Sequence, residues 1–249
     1  MANLGLKYTA SGHLVIFPED DCNAIVDIML ATGYSEEFCI APINIPGFSA
    51  EFTGRLMEAG FLVMSALYSS DNEEPEYILL PKLHLVRSVL FFENLHIKKS
   101  IRRFLHRYEL RADSDFNRII RRCIEKHGDD WLTPPLVENI LKIRGFSPGC
   151  AGKIVPAAGA RPVSFALYRD NELVAGEFGI ACGRVYTGYS CYYDEDNAGT
   201  IRLILAARYL QEHGFAFYDL GMPLDYKTAL GAADISPEEF VRLFRWSKF

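Results

Sequence analysis

Asp219 is the one carboxylate in the apolar run Phe215–Leu220. A run of that kind reads as a buried strand. A carboxylate at its end is either a reactive group presented at a strand terminus or a cap for the Gly221-Met222-Pro223 turn that follows. A second chemistry lies upstream, between Leu95 and His127. Ten Lys or Arg stand there against four acids, so this segment carries about +6 in a chain whose formal charge is −6. Cations gathered in this way attract phosphate, although a charge run also serves as an ordinary solvated helix face.

The elements that must position these groups follow from period and punctuation. Leu173–Ile180 and Arg184–Tyr193 are β-prone and are joined across Ala181-Cys182-Gly183, where glycine allows the positive φ of a tight hairpin. Asn197 is placed to cap a helix whose apolar positions Ile201, Ile204, Leu205 and Leu210 recur at helical spacing until Gly214 ends it. The order strand, strand, helix, strand is an acyltransfer-like layout, with a helix on a mixed sheet and reactive groups at strand ends. Upstream, Asp20 or Asp21 caps a helix reaching Thr32, and Ser49 caps another that ends at Gly60. Phe116–Lys126 is amphipathic, with Phe116, Ile119, Ile120 and Cys123 on its apolar stripe. The acidic stretch Asp71–Glu76 marks a boundary. We therefore expect a small α/β domain over 1–75 and a second domain over 76–249 that includes basic helices within 95–127.

Composition narrows the class. Apolar residues make up 49% of 249, ample for a core. The six cysteines, at 22, 39, 123, 150, 182 and 191, form no C-x-x-C pair and no zinc-ligand spacing, so no metal is expected and free thiols in a reducing cytoplasm are. Neither a signal-like leader nor an apolar run of eighteen is present, which points away from a membrane. The acidic overall balance argues against general nucleic-acid coating, but a local basic patch survives it.

Several segments resemble the leucyl/phenylalanyl-tRNA protein transferase family. Gly188-Tyr189-Ser190-Cys191-Tyr192, Asn197-Ala198, Tyr218-Asp219 and Leu230-Gly231-Ala232 lie at the spacing of its G-E-S-M-F, N-A-S-K, I-D-C-Q and S-L-G-A. Leu95-His96-Ile97-Lys98-Lys99-Ser100-Ile101-Arg102-Arg103-Phe104 is similar to its L-H-I-S-R-S-M-K-R-F. Phe48-Ser49 and Gly60 match its N-terminal pattern, with Met64 where the family has Trp. Cys123 and Trp131 fall in register with its C-A and T-W-I-T. Ser164 is retained from H-S-x-E-x-W, whose other three positions are Val163, Ala166 and Tyr168 here. Tyr189 replaces the family's Glu, and Gly221 its Gln.

The resemblance implies an α+β fold whose second domain is a GNAT-like, acyl-CoA N-acyltransferase-like mixed sheet. It implies a cytoplasmic aminoacyltransferase that moves a leucyl- or phenylalanyl-like group from tRNA to a protein N-terminus and so marks that protein for degradation. Aminoacyl-tRNA is then a co-substrate, and no cofactor is expected. Asp219 would orient or deprotonate the incoming amine, with Tyr189 or Ser190 donating toward the oxyanion. Cys191, Tyr192, Leu205 and Phe217 would line an apolar aminoacyl pocket. Lys98, Lys99, Arg102, Arg103 and Arg107 would meet tRNA phosphates, and Trp131 the terminal adenine, where stacking is worth about 1–3 kcal/mol. Glu177, Asp194 and Asp196 would receive a basic N-terminal residue. Residues 145–159, rich in Gly, Pro and Ala, are an insertion relative to the family and read as a flap or a surface loop.

Two other readings stay open. An acetyl-CoA-dependent N-acetyltransferase is disfavoured, because Asp194-Glu195-Asp196-Asn197-Ala198-Gly199 places acid where a pyrophosphate would sit. A non-catalytic tRNA- or peptide-binding relative is suggested by the lost Glu, Gln and Trp.

Overall fold

In the computed structural model, which describes residues 6–35, 37–69, 74–146 and 152–248, the chain forms two compact units. One comprises the residues up to Leu85 with Asp129–Ile143, the other Val86–Gly128 with the residues from Arg144 onward. The first unit contains β1 (Lys7–Tyr8), β2 (Leu14–Val15), α1 (Cys22–Thr32), β3 (Ala41–Pro42), α2 (Ala50–Glu58), β4 (Leu62–Tyr68) and β5 (Glu76–Lys82). Next come β6 (Arg87–Leu90), α3 (Lys99–Arg102), β7 (Glu109–Ala112) and α4 (Phe116–His127) in the second unit, then α5 (Pro134–Phe146), most of it in the first. The rest of the second unit is β8 (Ala157–Arg169), β9 (Glu172–Gly183), β10 (Val185–Tyr193), α6 (Ala198–Glu212), β11 (Phe217–Asp219), α7 (Asp225–Ala229), β12 (Ala233–Ile235) and α8 (Pro237–Trp246).

In the first unit the expected caps form. The Asp21 carboxylate accepts from the Asn23 and Ala24 amides, and the Ser49 hydroxyl from Phe52 N–H at 3.2 Å, each satisfying amides that a helix start leaves without partners. β5 is the middle strand of a three-stranded sheet and pairs with β4 from Leu62↔Lys82 to Tyr68↔Glu76. A domain boundary after residue 75 would cut this hairpin, so the first unit runs on to Leu85.

The second unit is built on a seven-stranded sheet in the order β12-β6-β11-β10-β9-β8-β7. Only β10 and β11 run parallel, so the sheet is mixed and the unit α+β. Gly183, at φ +57°, turns β9 back on β10. α6 covers one face with Ile201, Leu203, Ile204 and Leu210 buried, each worth roughly 1.5–3 kcal/mol on removal from water. α4 and α8 cover the other face: Phe116 packs edge-on to Phe178, and Phe240 to Phe217. α4 buries the four residues that its pattern singles out, Phe116, Ile119, Ile120 and Cys123. Of the segment 145–159, residues 147–151 lie outside the described residues, and β8 takes up its last three.

Candidate active site

Glu177 stands in the middle of β9, directly across from Cys191 on β10. Paired residues of neighbouring strands share a face, so both turn toward α6. There Glu177, only 5% exposed, forms an ion pair with Arg202 of α6, itself 3% exposed. The Tyr218 hydroxyl, from β11, donates to the Glu177 carboxylate and accepts from Arg202 Nη1 at 3.2 Å. Gly188 leaves the space this cluster needs, since a Cβ there would stand 3.1 Å from Glu177 Oε1. Burial opposes the Arg202 charge, but Glu177, Tyr218 and Cys191 outweigh it and hold the guanidinium protonated. Burial also lifts the Cys191 thiol above its ordinary range, against the pull of Arg202. Both groups therefore keep their protons at neutral pH.

A cavity of about 410 Å³ opens beside this cluster, lined by Cys191, Tyr193, Asp196, Asn197, Gly199, Thr200, Arg202 and Tyr226. A second, of about 290 Å³, is lined by Lys98, Ser100, Ile101, Asn197, Thr200, Ile204, Tyr226, Ala229 and Leu230. Asn197, Thr200 and Tyr226 line both, so the two cavities adjoin as a groove across the start of α6. Tyr193 and Tyr226 are each half exposed at its rim. Burial pushes the Tyr226 phenol up to about 12, which keeps it a hydrogen-bond donor. Asn197 does not cap α6 through its side chain; it takes a left-handed φ of +68° instead. First-turn amides of a helix lack intrahelical acceptors, and this helix presents Gly199 and Thr200 to the groove.

Of the expected pocket residues, Cys191 alone lines this groove. A β-bulge explains the difference. Gly188 pairs with Gly179 and Ser190 with Phe178, leaving Tyr189 as an inserted residue. Beyond the bulge Cys191 faces α6, while Ser190 and Tyr192 turn to α4. The Tyr189 ring packs 6.2 Å from that of Phe178, Ser190 is a hydrogen-bond partner of the buried Cys123 thiol, and Tyr192 lies beneath Arg122. Phe217 packs between Phe91 and Phe240 on the same side. Leu205 packs against the core of the second unit.

Asp219 is fully buried. It accepts from Arg87 Nε at 2.8 Å and Nη2 at 2.6 Å, from the Thr187 hydroxyl at 2.8 Å and from Gly221 N–H at 3.0 Å. Successive strand residues face opposite ways, so Asp219 points away from the face Tyr218 shares with the groove. The expectation that it meets the incoming amine is corrected: both oxygens are occupied by the protein.

Lys98, Lys99, Arg102, Arg103 and Arg107 are all exposed, and none enters an ion pair among the described residues. Arg103 and Arg107 stack on Phe104, at 4.8 and 5.0 Å. Trp131 belongs to the first unit, where its carbonyl accepts from Ser65 N–H at 3.0 Å. Glu177 is internally paired and Asp194 is bound to Arg122 at 2.6 Å, so of the three acids expected to receive a basic residue only Asp196 lines the groove. Arg202 and Tyr226 went unread in the sequence. The available signal was a charge between Ile201 and Leu203, matched by Glu177 inside the run Leu173–Ile180.

Comparison with known proteins adds to this geometry. Residues 89–245 match the family model described as leucyl/phenylalanyl-tRNA protein transferase. A relative of that name from Pseudomonas entomophila is 32% identical over 161 residues, which is 62% of this chain and 65% of the relative. The chain thus spans about 65% of the length of the Pseudomonas relatives it matches. A Campylobacter jejuni protein of the same name is 24% identical over 205 residues, covering 82% of this chain and 87% of its own. Among solved structures, FemX is similar over 93% of this chain and 81% of its own, at 11% identity and a TM-score of 0.46.

Proposed function

We propose that this chain, which belongs to the leucyl/phenylalanyl-tRNA protein transferase family, moves an amino acid from the 3′ end of an aminoacyl-tRNA to the N-terminal amine of an acceptor protein. The observation that carries this reading is that the two cavities adjoin, sharing Asn197, Thr200 and Tyr226. One end is bordered by Lys98 beside the exposed Lys99 and Arg102, and the other ends on Cys191 and Arg202, with Tyr226 between. Phosphates on the cations, the terminal nucleoside against the tyrosines and the aminoacyl group at the inner end would follow one path. We place the protein in the cytoplasm, where charged tRNA is found. Marking the acceptor for degradation extends the same reading to the cell.

The chemistry asks little of the protein. The amine nitrogen attacks the ester carbonyl, the C–N bond forms, the C–O bond to the ribose breaks, and a proton passes from the amine to the departing ribose oxygen. A protein α-amine has a pKa of about 7.7–8.0, so roughly a tenth is neutral at pH 7 without a dedicated base. Holding the two reactants in line is the larger contribution. The first-turn amides at Gly199 and Thr200 suit the charge that develops on the carbonyl oxygen.

The test incubates the protein with labelled aminoacyl-tRNAs and a peptide beginning with Arg or Lys, beside Thr200→Trp, which fills the part common to both cavities. Label reaching peptide only with the unsubstituted protein supports transfer. A second reading, a tRNA-binding relative without transfer, is favoured by the position of Asp219, Tyr189 and Ser190 away from the groove. Salt-sensitive tRNA retention with no labelled peptide would decide for it.

A further inference from the structure

The inner end of the groove is not an apolar pocket. Arg202 and Cys191 line it, with Glu177 and Tyr218 buried behind them as partners of the Arg202 guanidinium, so a charge and a thiol stand where a leucyl or phenylalanyl side chain would need hydrocarbon. Arg202 is almost wholly buried, spends Nη1 on Glu177 and Tyr218, and its Nε–H finds no acceptor among the described residues. Asp196 and the Tyr226 phenol add an acceptor and a donor at the rim.

On the reading that this groove holds an aminoacyl group, we infer that it selects an uncharged polar side chain ending in a carboxamide, glutaminyl or asparaginyl, over leucyl and phenylalanyl. A carboxamide oxygen accepts from a guanidinium, and its NH2 donates to a carboxylate or phenol. A carboxylate side chain would meet Asp196 with like charge, and a cationic one would meet Arg202. An apolar side chain would displace water from these groups and replace none of its hydrogen bonds. Sites built to hydrogen-bond a substrate group discriminate strongly against analogues that lack it.

The probe is a set of 3′-aminoacylamino-3′-deoxyadenosines carrying Gln, Asn, Glu, Leu or Phe, whose amide linkage separates binding from transfer. Calorimetry on the full chain should give Gln or Asn an affinity roughly tenfold or more above Leu and Phe. In the double variant Glu177→Met/Arg202→Met the order should invert toward Leu. Replacing a buried ion pair by apolar residues of similar volume is often tolerated, and a thermal melt checks that the variant folds; the unsubstituted protein decides the question even where it does not. Leu or Phe binding as tightly as Gln and Asn, or an order unchanged in the folded double variant, overturns the inference. If leucyl-tRNA still donates its amino acid to peptide, the transfer reading stands without it. If no analogue binds, the inference falls, and label reaching peptide from whole aminoacyl-tRNA decides the transfer reading separately.

Discussion

Asp219 shows how much structure one carboxylate can hold. Its four hydrogen bonds join β6 through Arg87, β10 through Thr187 and the turn after β11 through Gly221. Burial alone would raise its pKa, but the charge and hydrogen bonds of Arg87 outweigh burial, with Gly221 and Thr187 adding to them, so the carboxyl titrates below the usual carboxylate range. A folded pKa below the unfolded one gives stability that is complete above the unfolded value and is lost as pH falls through the folded value. Asp219→Asn leaves Arg87 buried without its counter-charge and should cost about 3–5 kcal/mol at neutral pH. Urea denaturation reads this cost, and the gap between variant and unsubstituted protein should narrow by about pH 3. A gap that stays constant with pH would show that the pair does not supply the stability.

At the scale of elements, the turn between α7 and β12 depends on Gly231. Its φ is +99°, and a Cβ there would fall 1.9 Å from the Asn94 carbonyl oxygen. Backbone cannot yield as a flexible side chain does, so Gly231→Ala should destabilise by roughly 2 kcal/mol or more, seen as a lower melting temperature. Leu230 lines the groove next door, so the apparent affinity for tRNA should fall as well. Gly231 stood out in the sequence only through the resemblance of Leu230-Gly231-Ala232 to S-L-G-A, whereas Gly183 and Gly214 were legible there as turn residues. So were α6, β11 and the apolar stripe of α4, because period and punctuation carry that information locally. The inserted Tyr189 was not legible: nothing in Gly188-Tyr189-Ser190-Cys191-Tyr192 announces a bulge, yet it reverses which residues face α6. That one insertion moved Tyr192 out of the expected pocket. Arg202 was hidden for another reason, since an arginine in a helix usually reads as a solvated charge until the strand that buries its partner is in place.

Taken whole, the molecule sets a compact cationic segment in an acidic chain, and the two should act on a polyanion in opposite ways. Arg111 and Arg122 are already neutralised by Glu109 and Asp194. The exposed cations on or beside α3 have no such partners among the described residues, and Lys98 borders the groove. Counterion release then predicts affinity for charged tRNA falling steeply between about 50 and 200 mM salt. Each phosphate contact removed should flatten the log–log slope by about 0.7–0.9. Replacing Lys98, Lys99 and Arg102 by Gln should therefore reduce the slope by about two to three, with the thermal melt unchanged because all three side chains are solvent-exposed. Lys142, paired with Glu138 at 2.7 Å in the other unit, serves as control, and Lys142→Gln should leave the slope where it was. An equal loss from both variants would mean that the tRNA responds to net charge alone, and the groove would lose its polarity from phosphate end to aminoacyl end.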